Sequence, residues 1–492
     1  MEWFPEAAER PLGLSRDDDG FESAVLDGLF TNVDAALALS ALALSALEDG
    51  GAGDGDAGGD AGHRPEEIVF PRTETDVAEI VRLARETGRR VAVRSGGHSW
   101  VASSLRGDGI LIDLTALDRI ELDAPALTAR VGPGVRGQVL SRVLEENGVA
   151  FPVGHCGTPA LGGYLLAGGL GVNWGHWKPA CFSVTRMRVV TADKEVLTAS
   201  ATENADLFWL ARGAGPGFPG IVTEFELALQ PLPAAIRVST WQFPLDELAA
   251  VTAWISDASK RLPTNVELSL VTQGPGRPAP PGHSTDAHPF VVGVAATVFA
   301  ADDDEAAAAL GPLGEGPPGV HPIDRATLLE IPFRDLHIAV DETYPVGARY
   351  LADTFWFSGD IAEATRTLEA LMRRAPSGRS YVLAGMPANG AGAALLTPGE
   401  AAYGMHDTTL FDVYTIWDDP SGDDANRAWL DEVAAALLPA SSGHFVAEAD
   451  IRHRPERVEA SFRSDDWPRI RELRQRFDPT GLFHGWPGEE RP

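Results

Sequence analysis

"RVAVRSGGHSW", residues 90–100, runs a short apolar strand into Ser-Gly-Gly-His. Two glycines after a strand let the backbone turn its N–H groups inward, forming a nest that can cradle a pyrophosphate. His98 would then stand at the edge of whatever is cradled. A second glycine-rich run, "VGHCGTPALGGYLLAGGLG" at 153–171, offers another close backbone approach and carries Cys156 near its start. Taken singly, a loop histidine is ordinarily a satisfied polar residue and a cysteine among glycines a small core residue. Together, two glycine runs that each carry a nucleophile predict an anionic cofactor in a glycine-lined cleft.

Outward from this stretch, Ile68 to Phe70 reads as a strand, and Thr73 with Asp76 three residues on reads as a helix start. Val77, Ile80, Val81 and Ala84 follow at helical spacing, and Gly88 supplies a stop. The first unit is therefore strand, helix, strand. Further strands are expected at 110–114, 127–131, 186–191 and 221–229, which makes the fold class α+β. From "LQPLPAAIRV" at 229 the texture changes to strands at 235–243, 266–273, 291–299, 350–357, 380–384 and 410–417, with helices between several of them.

This divides the chain into an N-terminal helical segment (1–47), a flexible Gly/Asp-rich loop (48–64), a first domain (65–230), a second domain (231–440) and a C-terminal segment (441–492). The Pro/Gly-rich stretches 274–283 and 311–322 read as surface connections.

Forty Lys and Arg against 71 Asp and Glu in 492 residues leave a net charge of -31, a field that repels nucleic acid and anionic membranes. The first ten residues lack a basic leader, and the apolar run 35–47 is too short to span a bilayer, so a cytoplasmic protein is expected. Two cysteines are too few for a disulfide scaffold, and Cys181 in "WKPACFSV" reads as core. No His-Glu-x-x-His, Cys-x-x-Cys or Gly-x-Ser-x-Gly is present, so no metal site or catalytic triad is expected. "VGPGVRG" at 131–137 matches the dinucleotide fingerprint, but so do the stretches beginning at Gly53, Gly215 and Gly314. "GVAFPVG" at 148–154 stands where the ribose-binding acid should follow, so that reading is set aside.

The stretch 65–230 and the tail 445–485 resemble the berberine bridge enzyme-like FAD-linked oxidases of the vanillyl alcohol oxidase superfamily. "RSGGHS" at 94–99, "GHCGTPALGGYLLAGGLG" at 154–171, "VVTADKEVLTASATENADLFWLARGAGPGF" at 189–218, "GIVTEF" at 220–225 and "RFDPTGLF" at 476–483 carry the resemblance. It implies FAD bound to His98 through its 8α-methyl and to Cys156 through carbon 6. Arg94, Ser95, Gly96, Gly97, Ser99, Gly154, Gly162, Gly163, Gly168, Gly169, Ile221 and Val222 would complete the cofactor site. The implied architecture is a two-part FAD-binding domain, formed by 65–230 and the tail, with a substrate domain of antiparallel sheet backed by helices over the ring. The implied reaction is hydride transfer from a carbon of an alcohol, sugar, amine or secondary metabolite, with molecular oxygen then reduced to hydrogen peroxide.

The sequence also departs from that family. Where members often carry Tyr-x-Asn on a late strand, this chain has "FVAEAD" at 445–450, which makes Glu448 the candidate base. Tyr414 in "FDVYTIW" lies on an expected strand, where its phenol either faces the flavin or packs. Thr158-Pro159-Ala160 replaces the usual Thr-Val-Gly that shapes oxygen access, which leaves oxidase and dehydrogenase both open. The missing tyrosine supports one alternative, a flavin- or ligand-binding protein that kept the fold and lost turnover.

Overall fold

The computed structural model describes residues 13–26, 64–275, 289–344, 347–359, 361–387, 396–404 and 407–488. The loop 48–62, the apolar run 35–47 and most of the 274–283 connection lie outside the described residues. Of the expected N-terminal helical segment, the described part is a strand, Gly13–Ser15, and a helix, Phe21–Leu26.

Glu67–Val69 and Val91–Arg94 flank Ile110–Asp113 in parallel, and Gly13–Ser15 adds an antiparallel edge. Between the first two parallel strands runs the helix Glu74–Thr87. Thr73 Oγ1 accepts from the Asp76 amide at 3.1 Å and Asp76 accepts from the Thr73 amide at 2.9 Å, a capping box worth about 1 kcal/mol. Gly88 ends the helix at φ 70°. Val77, Val81 and Ala84 are fully buried against Val69, Val91 and Ile110.

A second, antiparallel sheet has the order Ile120–Asp123, Thr128–Val131, Gly220–Ala228, Val184–Thr191, Val196–Ser200. Thr128–Val131 therefore leads into the helix Gly137–Glu146 without belonging to a parallel βαβ unit, which removes the dinucleotide reading of "VGPGVRG". Its glycines serve packing instead. A Cβ at Gly132 would lie 2.0 Å from the carbonyl oxygen of Leu117.

The third sheet is the largest. Its order is Asp324–Glu330, Ala235–Pro244, Val291–Ala300, Val266–Gln273, Tyr381–Pro387, Thr409–Trp417, Arg349–Phe357, Ser441–Gly443, with every neighbouring pair antiparallel. Side-chain alternation separates its two faces. Val266, Leu268 and Leu270 join a core shared with the helices Leu248–Ser259, Leu368–Arg373 and Asp423–Leu437, whereas Glu267, Ser269 and Val271 line a cavity on the other side. Ser441–Gly443 completes the far edge before the chain turns back, so the tail contributes to this sheet as well as to the first.

After the helix Trp467–Phe477 the tail weaves into the first sheet: the Val91 amide donates to Leu482 O at 2.8 Å and the His484 amide to Val91 O at 2.9 Å. Trp486 then wedges over Gly217, where an added Cβ would lie 2.0 Å from the indole. The Trp486 indole N–H donates to Ala214 O at 3.1 Å, and its ring sits against Phe462 and Trp467. Gly217→Ala is expected to cost about 1–3 kcal/mol through overpacking, read as a lower urea midpoint at unchanged slope. A midpoint equal to wild type would show that the indole yields without penalty. Among the described residues no helix is long and apolar enough to cross a membrane.

Candidate functional site

Both glycine runs and the inner face of the large sheet enclose one cavity of about 650 Å³. Arg94 through Trp100, Gly154, Cys156, Gly162, Gly163, Ile221 and Val222 form one wall, and Phe483, His484 and Gly485 add a piece of the tail. Thr240, Gln242, Glu267, Tyr381, Asp412 and Tyr414 face them from the sheet. His98 and Cys156, 58 positions apart in the chain, thus line the same space.

The Ser-Gly-Gly-His loop is anchored from behind. The Arg94 guanidinium, completely buried, donates to Asp113 at 2.6–2.7 Å and to the carbonyls of Val25 and Ala24 at 2.5 and 2.7 Å, so its charge is paired and hydrogen-bonded. Arg94 is therefore a strut of the loop. Gly97 adopts φ 72°, a left-handed conformation that suits glycine, and this turns the chain toward the cavity. Ser99 Oγ accepts from the Ser103 amide at 3.2 Å and closes the turn.

The cradle fits an anionic cofactor. The amides of Gly96 and Gly97 find no acceptor among the described residues. At Gly163, a Cβ would meet no protein atom within 4 Å. A pyrophosphate is the kind of group that satisfies such donors in a space left open by absent side chains. Gly168 and Gly169, expected in the same cradle, stand behind the wall; their Cβ positions face the rings of Tyr403 and Tyr164.

Electrostatics distinguish the two nucleophiles. Burial pushes the His98 imidazole down to about 3, so at neutral pH it is uncharged and keeps a lone pair. Burial first, then the nearby Asp341 and Glu448, pushes the Cys156 thiol well up. The next residue is fixed by that same acid, because the Gly157 amide donates to Asp341 at 3.0 Å. Cys181 is fully buried in a separate cluster with Trp174, Trp356 and Tyr403, as a core cysteine would be.

On the sheet side, Tyr414 Oη donates to Glu448 Oε2 at 2.5 Å. The phenol faces the cavity. Glu448 does not lie on a strand: Phe445–Ala449 is a tight turn in which the Glu448 and Ala449 amides both donate to Phe445 O, and the turn aims the carboxyl at Tyr414. Asp450, the other acid of "FVAEAD", points away and accepts from His453 at 2.7 Å. Burial holds the Glu448 carboxyl above its ordinary range, against the opposing pull of the Tyr414 hydrogen bond and of His155.

Sequence reasoning did not find several residues of this wall. Asp412, two residues before Tyr414 and on the same strand face, is 7% exposed and its Oδ1 has no hydrogen-bond partner. Burial and then Glu448 push it well up. The signal was available, since an acid inside an otherwise apolar strand is costly unless it serves something. His155 pairs with Glu267 at 2.6 Å, and the other oxygen of Glu267 accepts from the Asn173 amide at 2.7 Å. Burial works against a charged His155, but Glu267 prevails and raises it. Trp100, Tyr344, Tyr381 and Tyr414 form an aromatic lining with ring centroids 4.8–6.4 Å apart.

Comparison with known proteins agrees with this geometry. Residues 65–200 match the family described as FAD binding domain. The FAD-linked oxidoreductase ptmO of Penicillium ochrochloron is 35% identical over 65% of this chain and 68% of its own length. The FAD-linked oxidoreductase janO of Penicillium janthinellum is 30% identical over 86% of this chain and 91% of its own. Among solved structures, Physcomitrella patens BBE-like 1 superposes with a TM-score of 0.74 at 20% identity, covering 87% of this chain and 93% of that one, and so shares the fold.

Proposed function

This chain belongs to the berberine bridge enzyme-like FAD-linked oxidoreductases, and from that premise we propose that it tethers its flavin twice, through His98 and Cys156, and oxidises a small molecule with oxygen as acceptor. The observation that carries the reading is the shared cavity, with a neutral imidazole and a thiol on one glycine-lined wall. When bound there, FAD supplies a two-electron acceptor for a hydride from substrate carbon. The chain's own residues do the rest. Residues 65–230 and the tail hold the cofactor, and the inner face of the sheet holds the substrate. Glu448, oriented by Tyr414, takes the proton from a substrate hydroxyl or ammonium as the adjacent C–H bond is broken. A carboxyl raised by burial suits this role, because it holds the proton it accepts. The pairing of Tyr414 with Glu448 favours turnover over a ligand-binding role without catalysis, since a tyrosine and a carboxyl are already poised in place of the family's usual tyrosine.

The test is a peptide mass. Tryptic digestion should yield one species in which the peptide 95–106, containing His98, and the peptide 143–186, containing Cys156, are joined through a single flavin. Recovery of either peptide at its unmodified mass from yellow holoprotein would sink the double tether. A peroxide assay during turnover tests the acceptor, and flavin reoxidation by a quinone but not by oxygen would make the enzyme a dehydrogenase.

A further inference from the structure

Two side-chain acceptors in the cavity's wall are unmet. Asp412 is 7% exposed, faces the cavity from Thr409–Trp417, and its Oδ1 accepts no hydrogen bond. Gln242, 5% exposed on Ala235–Pro244, separated from it by three strands of the same sheet, has an unpartnered Oε1 in the same wall. Leaving such acceptors buried and unmet is costly, so something that enters the cavity is expected to meet them.

The charges of the wall point the same way. Among the described residues four carboxyl-bearing side chains line the cavity, Glu267, Glu342, Asp412 and Glu448, and the one arginine, Arg94, is spent on Asp113. His155 pairs directly with Glu267 and acts on Glu448 only at longer range. Among the described residues the Asp412 and Glu448 carboxyls have no ion-pair partner, and they lie beside the rings of Trp100, Tyr344, Tyr381 and Tyr414. Carboxylates set among aromatic faces are the arrangement that binds an ammonium, whose charge is met by the acids and whose alkyl groups lie on the rings. A net charge of -31 draws such a ligand in and repels an anionic one.

We propose that the substrate is an amine that enters as its ammonium and is held by Asp412 and Glu448 within the aromatic lining. This rests on the oxidoreductase reading above and narrows it, since the acids of the wall repel carboxylates and phosphorylated compounds. Asp412 recognises the charge, and Glu448 is left to take a proton from the substrate.

Two soluble probes of nearly identical shape separate charge from size: meta-hydroxyphenyltrimethylammonium and its uncharged carbon isostere, meta-tert-butylphenol. Both are titrated into the holoprotein and read by quenching of tryptophan fluorescence, to which Trp100, Trp174 and Trp241 in the wall contribute, with flavin absorbance recorded on the same samples. The ammonium should bind about tenfold tighter than the isostere, the effect of a partly desolvated cation–π and charge contact. Asp412→Asn should narrow that ratio while the protein stays yellow. If Asp412→Asn does not fold, Glu448→Gln is titrated with the same pair and should narrow the ratio as well. Equal or tighter binding of the isostere, no binding of the ammonium, or a ratio unchanged in the folded variant would overturn the proposal. A colourless protein would instead count against the flavin reading, and the fluorescence ratio would still decide the substrate class.

Discussion

Protein carrying both His98→Ala and Cys156→Ala is expected to lose all acid-stable colour: trichloroacetic acid should leave a white pellet and a yellow supernatant, where wild type gives a yellow pellet. Each single variant should keep its flavin through the remaining bond. Both side chains line one wall of the same cavity. His98 stays uncharged down to about pH 3, so its nucleophilic form is available throughout the neutral range and attachment at that site should not vary between pH 6 and 8. Cys156 is held as a thiol by burial and by Asp341 and Glu448, so a thiolate forms less readily there, and attachment at Cys156 should speed up as pH rises. A His98→Ala variant with no covalent flavin at any pH would mean that Cys156 forms no bond of its own.

Glu448→Gln is expected to slow anaerobic bleaching of the flavin by substrate by about 10²–10⁴-fold, the usual contribution of a positioned general base. Glutamine keeps the shape and can still accept the Tyr414 hydroxyl, so folding and flavin content should hold. The wild-type rate should climb with pH through a range above that of an ordinary carboxyl, because burial raises both Glu448 and Asp412 and the base must lose its proton to act. In the variant the steepest part of this rise should vanish. Stopped-flow spectroscopy across pH reads both effects; a variant that bleaches at the wild-type rate with the same pH profile would pass the role of base to Asp412.

Much of the scaffold could be read from local chemistry. The Thr73/Asp76 box and Gly88 marked both ends of the first helix, and the alternating strands of the second domain showed their period of two. What escaped were edge strands. Ile120–Asp123 and Asp324–Glu330 each pair on one side only and bury little, so their charged residues carry no alternation to read. The site followed a similar division. Its cofactor half lies in contiguous motifs, so His98, Cys156 and the flanking glycines were visible as strings.

The wall that the large sheet contributes is assembled by register. Tyr381 stands directly opposite Tyr414, and Leu383 opposite Asp412, only because Tyr381–Pro387 pairs with Thr409–Trp417 at that offset. No local pattern reports a pairing between segments nearly thirty residues apart. Glu448 was expected on a strand, by analogy; it lies instead in a turn, and the sharpness of that turn is what lets its carboxyl meet Tyr414.

The braid of Leu482–His484 onto Val91 has a consequence for biogenesis. Phe483, His484 and Gly485 belong to the cavity wall, yet the ribosome makes them after every other part of it. A nascent chain stalled before that point therefore has a cavity with one side of its wall missing.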